Sequence, residues 1–482
     1  MKAKKRTMIT KKGTLVMKFG GSSVGGSRAL KSALEIAAGE YSRWENLAIV
    51  VSAMEGTTDA LITCAREAVS GNPGATMDII SEIKRKHHQV VHEMFSDAKR
   101  QDDIIAEWDG LFYSLEGLCG GIHIMGELTP RGMDAVVSHG ERLMARLFSA
   151  LLEQNGIPAY AVDANRIIVT DDSFQNARPL MERTCRKVND VIPPLFSNHV
   201  VPVVTGFIAA TEEGVTSTLG RGGSDFTAAL LGNCLDADEV WTWTDVDGVM
   251  SADPRIVPEA RVIPRITYNE VSEMAYFGAK VLHPSTMRPV VEKNIPVRVK
   301  NTFNADHPGT CIRNEPVNSL GQVTAVTLIR NLCLVNVEGR GMLGVPGIAA
   351  RTFSAVAGQK ASVLMISQSS SEQSICFVIP AEMKENVIRA IEDEMAFELA
   401  RKDIDRVWAQ PDVAIVTAIG EGMRRTPGVS ARLFGVLGRE NINVIAIAQG
   451  SSEYSISIVV DASDADQAVR QIHDEVIING SN

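Results

Sequence analysis

The chain is short of positive charge: 48 lysines and arginines stand against 58 aspartates and glutamates, which leaves a formal net charge of −10. Nucleic acids and anionic membrane surfaces are bound through concentrated lysine and arginine, so we expect neither as a partner. The sequence also lacks the run of about 18 apolar residues that crosses a bilayer. Residues 1–13 are basic and no apolar signal segment follows them, so we expect a mobile, solvated tail.

Paired cysteines and complete metal-ligand patterns are missing too. The 7 cysteines are scattered, odd in number and never spaced as C-x-x-C, a usage typical of a reducing compartment, so we expect a cytoplasmic protein. His88 and His92 have the spacing of a metal pair on a helix, but the sequence offers no third ligand nearby. We interpret them as part of a solvated helix face and predict no metal held by the protein itself.

The composition is that of a folded protein, with 45% hydrophobic and 22% charged residues over 482 positions, enough for two or three domains. From residue 14 to about 311, short β-branched apolar runs alternate with amphipathic helical stretches, which predicts an α/β domain with a largely parallel sheet. We assign residues 14–311 to one catalytic domain and residues 312–324 to a linker. The clearest predicted strands are 15–19, 47–52, 200–205, 239–244 and 295–300.

Beyond the linker the sequence repeats itself. Residues 339–379 align with residues 420–460 without a gap and share 17 identities in 41 positions. Each copy contains a G-x-G-M loop, a helix that begins at a Pro-Gly pair, and a strand that ends near Gln368 or Gln449. We therefore predict two small domains of one kind, at residues 325–405 and 406–482, each too small to be catalytic.

Three motifs of the first domain carry polar residues at strand ends, where α/β sheets bind ligands. The first, M-K-F-G-G-S-S at residues 17–23, joins Lys18 to a Gly-Gly turn whose backbone N–H groups suit a phosphate. Taken alone, it is equally typical of a charged strand end with a tight turn. The second, T-L-G-R-G-G-S-D-F-T at residues 218–227, combines a glycine nest, Arg221 and Asp225 at the start of a helix. No structural role requires all three together.

The third motif, W-T-W-T-D-V-D-G-V-M at residues 241–250 followed by A-D-P-R at 252–255, suits a nucleotide contact. Together the three motifs resemble the amino-acid kinase family, and within it aspartate kinase. The segments V-S-A-M-E-G-T-T-D at residues 51–59, S-H-G-E-R at 138–142 and F-G-A-K-V-L-H-P at 277–284 resemble further aspartate kinase segments in the same order. Acetylglutamate, glutamate 5- and uridylate kinases share the fold, but the last two segments resemble aspartate kinase and not them.

The resemblance spans residues 16–460 and implies transfer of the γ-phosphoryl group of ATP, which enters with Mg²⁺, to the side-chain carboxylate of L-aspartate. That reaction is the first step of the aspartate pathway to lysine, threonine and methionine. The acceptor is already ionised, so alignment and charge neutralisation suffice and no catalytic histidine is needed. Two alternatives stay open: a different amino-acid acceptor, and a non-catalytic amino-acid sensor built on an inactive kinase body.

The resemblance also implies roles for single residues. Lys18 would stabilise charge on the γ-phosphoryl group, and Asp225 would orient Lys18. Arg221 would bind the α-carboxylate of aspartate, and Glu141 would face its ammonium group. The full set implied for aspartate is Thr58, Glu141, Arg221 and Ser224. The full set implied for the nucleotide is Lys18, Gly20, Gly21, Ser22, Thr244, Asp245, Arg255 and Lys280.

The two C-terminal copies resemble ACT domains, which in this family bind amino-acid effectors at paired interfaces. Their Gln-(Ser/Gly)-Ser-Ser-Glu ends are similar to the kinase part of bifunctional aspartate kinase–homoserine dehydrogenases, which threonine usually inhibits. The resemblance implies threonine as the effector, bound at Gln368 and Gln449, and a homodimer or higher homo-oligomer formed through the ACT domains. Alternatively, the two copies only dimerise the chain. The chain departs from the bifunctional group in stopping at Asn482 without a dinucleotide-binding domain, so we expect no dehydrogenase activity.

Overall fold

The computed structural model describes residues 12–279, 282, 284–315, 322–342, 345–368, 373–449 and 454–478. These residues form two compact units. The first contains the described residues up to Val249, Pro264–Tyr268 and the described part of Leu282–Glu315. The second contains Met250–Ile263 and the described parts of Asn269–Val281 and Pro316–Asn482. Lys280, the two Ser-Ser-Glu segments and nearly all of the expected N-terminal tail lie outside the described residues.

Strands and helices alternate up to residue 315, as the apolar runs predicted. The strands of this part are β1 Lys12–Phe19, β2 Trp44–Val51, β3 Ala159–Val162, β4 Val169–Thr170, β5 Val201–Thr205, β6 Ile208–Thr211, β7 Thr216–Thr218, β8 Glu239–Thr244, β9 Arg265–Thr267, β10 Val297–Asn301 and β11 Thr310–Arg313. The α-helices are α1 Ser27–Arg43, α2 Thr57–Val69, α3 Pro73–Met94, α4 Ala98–Met125, α5 Pro130–Val137, α6 His139–Gln154, α7 Met181–Ser197, α8 Gly223–Cys234, α9 Tyr268–Tyr276 and α10 Pro284–Glu292.

Eight of these strands form one sheet, in the order β3-β5-β2-β1-β8-β10-β11-β9. Its neighbouring pairs are parallel except for β10 and β11. Consecutive residues of a strand face opposite sides, and Leu15, Val16 and Met17 of β1 are all fully buried, so both faces of the sheet are covered. β4, β6 and β7 form a separate small sheet. The predicted α/β class with a largely parallel sheet is confirmed.

Four central strands end level with one another. Phe19 at the end of β1 pairs with Val51 of β2 and with Trp243 of β8, and Val51 pairs with Thr205 of β5. Because these strands are parallel, the polar segments that follow them emerge at the same edge of the sheet. This edge gathers the Lys-x-Gly-Gly turn, the 51–59 segment and the Thr-Asp-Val-Asp-Gly turn.

The cysteine expectation needs a correction. Cys185 on α7 and Cys234 at the end of α8 form a disulfide, although 49 residues separate them in the sequence. Packing of α7 along α8 brings them together, so no local spacing could have predicted the pair. The predicted cytoplasmic location, which rested on unpaired cysteines, stays a prediction. Among the described residues, no helix is long and apolar enough to cross a membrane.

The prediction that the histidines of α3 lie on a solvated helix face holds only in part. His92 is exposed, as expected, but His87 is buried and His88 stacks on Trp108 with 6.3 Å between ring centroids. The physical reason is that α3 packs against α4, which carries Trp108. Within the described residues, no group of three or more histidine, cysteine, aspartate or glutamate side chains could hold a metal ion.

The second unit is built on an antiparallel sheet of six strands. They are β12 Ala325–Glu338, β13 Met365–Gln368, β14 Ser374–Pro380, β15 Arg406–Ile419, β16 Ala446–Ala448 and β17 Ser455–Asp461. Its remaining helices are α11 Ile348–Gly358, α12 Lys384–Glu394, α13 Ala396–Arg401, α14 Val429–Arg439 and α15 Ala465–His473. The strand order is β13-β14-β12-β15-β17-β16, in which each repeat contributes one side of the sheet.

The two repeats share their long strands. β12 and β15 have 14 residues each and pair along their length, with an irregular register around Leu332. The later half of β12, with Val335, packs in one core with α11 and α12, and Val407 of β15 joins that core. The earlier half of β12, with Val326, packs in another core with α14 and α15. Each core thus takes one half of β12, and the domain bounds expected at residues 325–405 and 406–482 stay a prediction.

A segment from within the expected catalytic range belongs to this second unit. In Met250–Ile263, Ala252 and Val257 lie in the same core as Val326. Ser251 Oγ lies 2.9 Å from Nε2 of the buried His473 on α15. Tertiary packing thus places this segment in the C-terminal core, and the bounds expected for the catalytic domain, residues 14–311, stay a prediction.

Candidate active site

A pocket of about 400 Å³ opens in the first unit at the carboxyl edge of the large sheet. It brings together residues predicted from four separate segments of the sequence. The predicted residues that line it are Lys18, Gly21, Thr58, Glu141, Ser224 and Asp225. Further lining residues are Ser52, Ala53, Met54, Glu55, Gly56, Asp59, Phe207, Gly220, Gly222 and Gly223.

Lys18 and Asp225 form an ion pair inside this pocket. Lys18 Nζ lies 2.8 Å from Asp225 Oδ1, and Lys18 is only 8% exposed. The same carboxylate oxygen accepts a hydrogen bond from Thr242 Oγ1 at 3.4 Å. Asp225 lies in the first turn of α8, where the helix dipole favours a negative charge. The ammonium group of Lys18 is therefore held in one place beside the Gly-Gly turn.

The Gly-Gly turn is bound to the ends of β8 and β10. Gly20 N and Ser23 Oγ each donate to Trp243 O at 3.1 Å, and Thr302 Oγ1 donates to Ser23 Oγ at 2.7 Å. A side chain at Gly21 would place Cβ 3.3 Å from Ala53 O, which is tighter than ordinary contact. The turn is thus preorganised, as a phosphate-binding turn must be.

Glu141 presents a buried carboxylate to the pocket. It is 3% exposed, and its Oε1 accepts a hydrogen bond of 3.3 Å from Ala53 N. Its Oε2 has no hydrogen-bond partner among the described residues. Burial raises the pKa of Glu141 to about 8, although backbone hydrogen bonds oppose this shift. A buried acceptor without a partner suits a cationic group of a ligand.

Close packing fixes the helix that carries Glu141. Gly140, in the first turn of α6, has no room for a side chain, because a Cβ there would lie 2.7 Å from the Cβ of Ala53. The same crowding recurs at Gly206, where a Cβ would lie 2.5 Å from Ser224 Oγ. Gly206 was not predicted as a site residue; its only signal in the sequence is a glycine directly after a buried strand.

The loop before α8 has two residues in the left-handed region. Gly220 and Gly222 both have φ of +73°, which other residues adopt only with strain. No side chain in the described part of the chain caps α8, and Gly223, Ser224 and Asp225 of its first turn line the pocket. Arg221 is exposed between these glycines, and no hydrogen bond or ion pair joins it to another described residue. It does not line the pocket, but both of its neighbours do.

The remaining nucleotide residues are not brought into the pocket. Thr244 Oγ1 donates to Asp245 Oδ1 at 3.1 Å just beyond β8, outside the pocket lining. Asp247 in the same turn accepts from the side-chain amides of Asn301 at 2.8 Å and Asn304 at 3.0 Å, which hold the turn in place. The sequence analysis overlooked these two asparagines.

Arg255 belongs to the second unit, where its Nη2 lies 2.6 Å from Asp253 Oδ2. Gln368 ends β13, Gln449 follows β16, and both are exposed. The roles given to these residues and to Lys280, which lies outside the described residues, stay predictions.

Comparison with known proteins decides the family. The model of the amino acid kinase family matches residues 13–301, more than half of the chain, and the ACT domain model matches residues 335–395 and 416–476. The chain belongs to the amino acid kinase family. The resemblance stated from the motifs is thereby confirmed, as is the prediction of two ACT-type repeats.

Its relatives in the amino acid kinase family are aspartokinases. The chain is 37% identical over 470 residues to the chloroplastic bifunctional aspartokinase/homoserine dehydrogenase 2 of Zea mays, covering 96% of this chain and 50% of that protein. It thus spans about half the length of the bifunctional relatives it matches. It is 32% identical to the aspartokinase of Schizosaccharomyces pombe, covering 97% of this chain and 93% of that one.

Solved structures support the same family assignment. Aspartokinase III of E. coli in complex with lysine and aspartate superposes with a TM-score of 0.77 at 30% identity, covering 96% of this chain and 99% of that chain. The same enzyme in complex with aspartate and ADP gives a TM-score of 0.78 at 29% identity and the same coverage. The predicted fold, an amino acid kinase body followed by ACT domains, is confirmed.

Proposed function

We propose that this chain is an aspartate kinase, which transfers the γ-phosphoryl group of Mg-ATP to the side-chain carboxylate of L-aspartate and yields ADP and 4-phospho-L-aspartate. The observation that carries this proposal is the pocket itself. It holds the Lys18–Asp225 pair at one side and, at another, the buried Oε2 of Glu141, which has no hydrogen-bond partner in the part of the chain that the structure describes. The relatives named as aspartokinases, and the E. coli enzyme with aspartate and ADP, support the same assignment.

The acceptor half of the pocket suits an amino acid with two carboxylates. The carboxylate of Glu141 would pair with the ammonium group of aspartate. Arg221 and backbone N–H groups in the first turn of α8 would bind its α-carboxylate. Thr58 and Ser224, which both line the pocket, would donate hydrogen bonds to the acceptor. The side-chain carboxylate is then left free to attack phosphorus.

The transfer half needs charge neutralisation and alignment. The acceptor carboxylate is ionised at neutral pH, so no side chain has to remove a proton from it. The ammonium group of Lys18, fixed by Asp225, would stabilise the charge that develops on the γ-phosphoryl oxygens. Mg²⁺ would arrive as part of the substrate, bound to the phosphates of ATP, and supply the remaining positive charge. Gly20, Gly21 and Ser22 would offer N–H groups to those phosphates.

Regulation by an amino acid is the second part of the proposal. The two ACT-type repeats supply Gln368 and Gln449 at matching strand ends, and we assign threonine to these positions. The E. coli relative was crystallised with lysine, so lysine is the competing effector. The ACT repeats would also join chains into a homodimer or higher homo-oligomer. The product would enter the pathway that leads to lysine, threonine and methionine.

An ADP-release assay tests the proposal. We expect activity with Mg-ATP and aspartate, far less with glutamate or N-acetylglutamate, and inhibition by threonine but not by lysine. Preference for another acceptor would make the chain a different amino-acid kinase. A chain that binds threonine in calorimetry but releases no ADP with any acceptor would be a non-catalytic sensor. Inhibition by lysine alone would overturn the effector and leave the kinase assignment in place.

A further inference from the structure

Asp134 is a buried carboxylate outside the pocket that holds two segments of the first unit together. It lies on α5 and is fully buried. Its Oδ1 accepts a hydrogen bond of 2.9 Å from Thr218 Oγ1. Its Oδ2 accepts two more, from Thr218 N at 3.0 Å and from Gln175 N at 2.9 Å. One side chain thus joins the end of β7 to the loop at residues 171–178.

Both segments lead directly to the loop that carries Arg221. Thr218 ends β7 and is followed by the 219–223 loop before α8. From the other side, the 171–178 loop packs on Gly220, where a Cβ would lie 2.6 Å from Asn176 Oδ1 and 3.0 Å from Gln175 O. Ala177 N also donates to Thr218 O at 2.9 Å. The 171–178 loop therefore supports the 219–223 loop from behind.

Arg221 depends on this support. Its guanidinium is exposed and has no partner among the described residues, so only its backbone fixes where it stands. That backbone lies between two glycines in the left-handed region, which have no side chains to restrain them. Whatever holds Thr218 and Gly220 in place consequently also holds Arg221.

The cost of burying Asp134 argues against an incidental role. No basic side chain among the described residues faces it, and burial raises its pKa while the three hydrogen bonds lower it. A buried carboxylate without a cation is expensive, and an apolar side chain would fill the same space at lower cost. The carboxylate is useful here because only it can accept three hydrogen bonds from two segments at once.

We propose that Asp134 is a positioning residue for acceptor binding: by joining Thr218 to Gln175 it fixes the 219–223 loop, and through Arg221 it sets the affinity for the acceptor amino acid but not for ATP. This inference rests on the proposed function, in which Arg221 binds the α-carboxylate of aspartate. Asp134 itself touches neither substrate.

The first test is Asp134→Asn. An asparagine keeps the shape but removes the negative charge: its carbonyl oxygen can still accept from Thr218 N and Gln175 N, while its NH₂ group faces Thr218 Oγ1, which must then accept instead of donating. We expect the KM for aspartate to rise about tenfold or more, because hydrogen bonds to a charged acceptor are stronger than those to a neutral one and all three are weakened at once. The KM for ATP should stay within about twofold. The matched control is Asp163→Asn, which removes a half-buried carboxylate paired with Arg146 elsewhere in the unit and should lower Tm without separating the two KM values.

If Asp134→Asn does not fold, a second pair of variants tests whether the bond between Asp134 and Thr218 sets the affinity for aspartate. Thr218→Val removes only the hydroxyl donor, whereas Thr218→Ser keeps it. The KM for aspartate should rise in the valine variant and return to normal in the serine variant. An unchanged KM for aspartate in both Asp134→Asn and Thr218→Val would overturn the inference, and so would equal rises in both KM values. A wild-type chain without activity on aspartate would instead reject the proposed function.

Discussion

Under the proposed function, the raised pKa of Glu141 predicts that the affinity for aspartate depends strongly on pH. Burial in the pocket moves the pKa of Glu141 from 4.5 to about 8. The ammonium group of aspartate requires the ionised carboxylate, so binding at pH 7 must first remove a proton. Replacing Glu141 with glutamine removes both the charge and the titration while keeping the shape.

The magnitude follows from the two pKa values. A pKa of about 8 in place of 4.5 means that ionising Glu141 costs on the order of 5 kcal/mol more in the pocket than in water. At pH 7 about one molecule in ten is ionised, and at pH 6 about one in a hundred. The kcat/KM for aspartate should therefore rise about tenfold for each pH unit between 6 and 7.5 and level off above about 8, because it reports ionisations of the free enzyme.

The assay is steady-state kinetics from pH 6 to 8.5 at saturating Mg-ATP, together with calorimetry of aspartate binding in two buffers of different ionisation enthalpy. We expect release of nearly one proton per aspartate bound at pH 7. Glu141→Gln should show a KM for aspartate raised about a hundredfold, with the steep pH dependence removed, because a buried charge partner is lost. His139 cannot imitate this profile, since burial holds its pKa at about 4.

Glu40→Gln is the matched control. Glu40 on α1 is also a buried carboxylate, but it bonds to Arg43 and to Trp44 at the start of β2 and does not line the pocket, so its replacement should leave the profile unchanged. The pH dependence of the free energy of unfolding independently checks that the pKa of Glu141 is raised and not lowered. The folded state keeps the Glu141 proton up to higher pH than the unfolded state, so wild-type stability should fall relative to Glu141→Gln as the pH rises from 5 to 8. A flat kcat/KM with no proton release would refute the argument.

Three further predictions concern the other groups. Lys18→Ala should lower kcat by about a hundredfold or more in a chain that still folds, because a preorganised charge acts on the transition state; near-normal kcat would remove Lys18 from the mechanism. Arg221→Ala should raise the KM for aspartate about tenfold or more and barely change that for ATP, whereas equal rises would assign Arg221 to the nucleotide. Gln368→Ala and Gln449→Ala should each weaken threonine inhibition without lowering uninhibited activity, since the coupling needs only about 1 to 3 kcal/mol. Full inhibition in both variants would place the effector elsewhere.

The sequence by itself determined the secondary structure of the sheet and the chemistry at its edge. β1, β2, β5, β8 and β10 are found within a few residues of their predicted bounds, because buried parallel strands must be continuous apolar runs and such runs are visible locally. The internal repeat could also be recognised from the sequence, since identical residues at a fixed offset are found without tertiary information. Motif residues pointed to Lys18 and Asp225, and the structure pairs them.

Only the tertiary structure decided which distant segments share an environment. Three features join parts that lie far apart in sequence. Cys185 forms a disulfide with Cys234. The earlier half of β12 packs with helices of the second repeat, and Met250–Ile263 packs in the same C-terminal core. The same holds for the pKa of Glu141 and for the support that Asp134 gives to Arg221. Periodicity and motifs predict the kind of environment a residue has, such as burial or contact with a polar group. Which residue provides that contact depends on how the helices and strands pack.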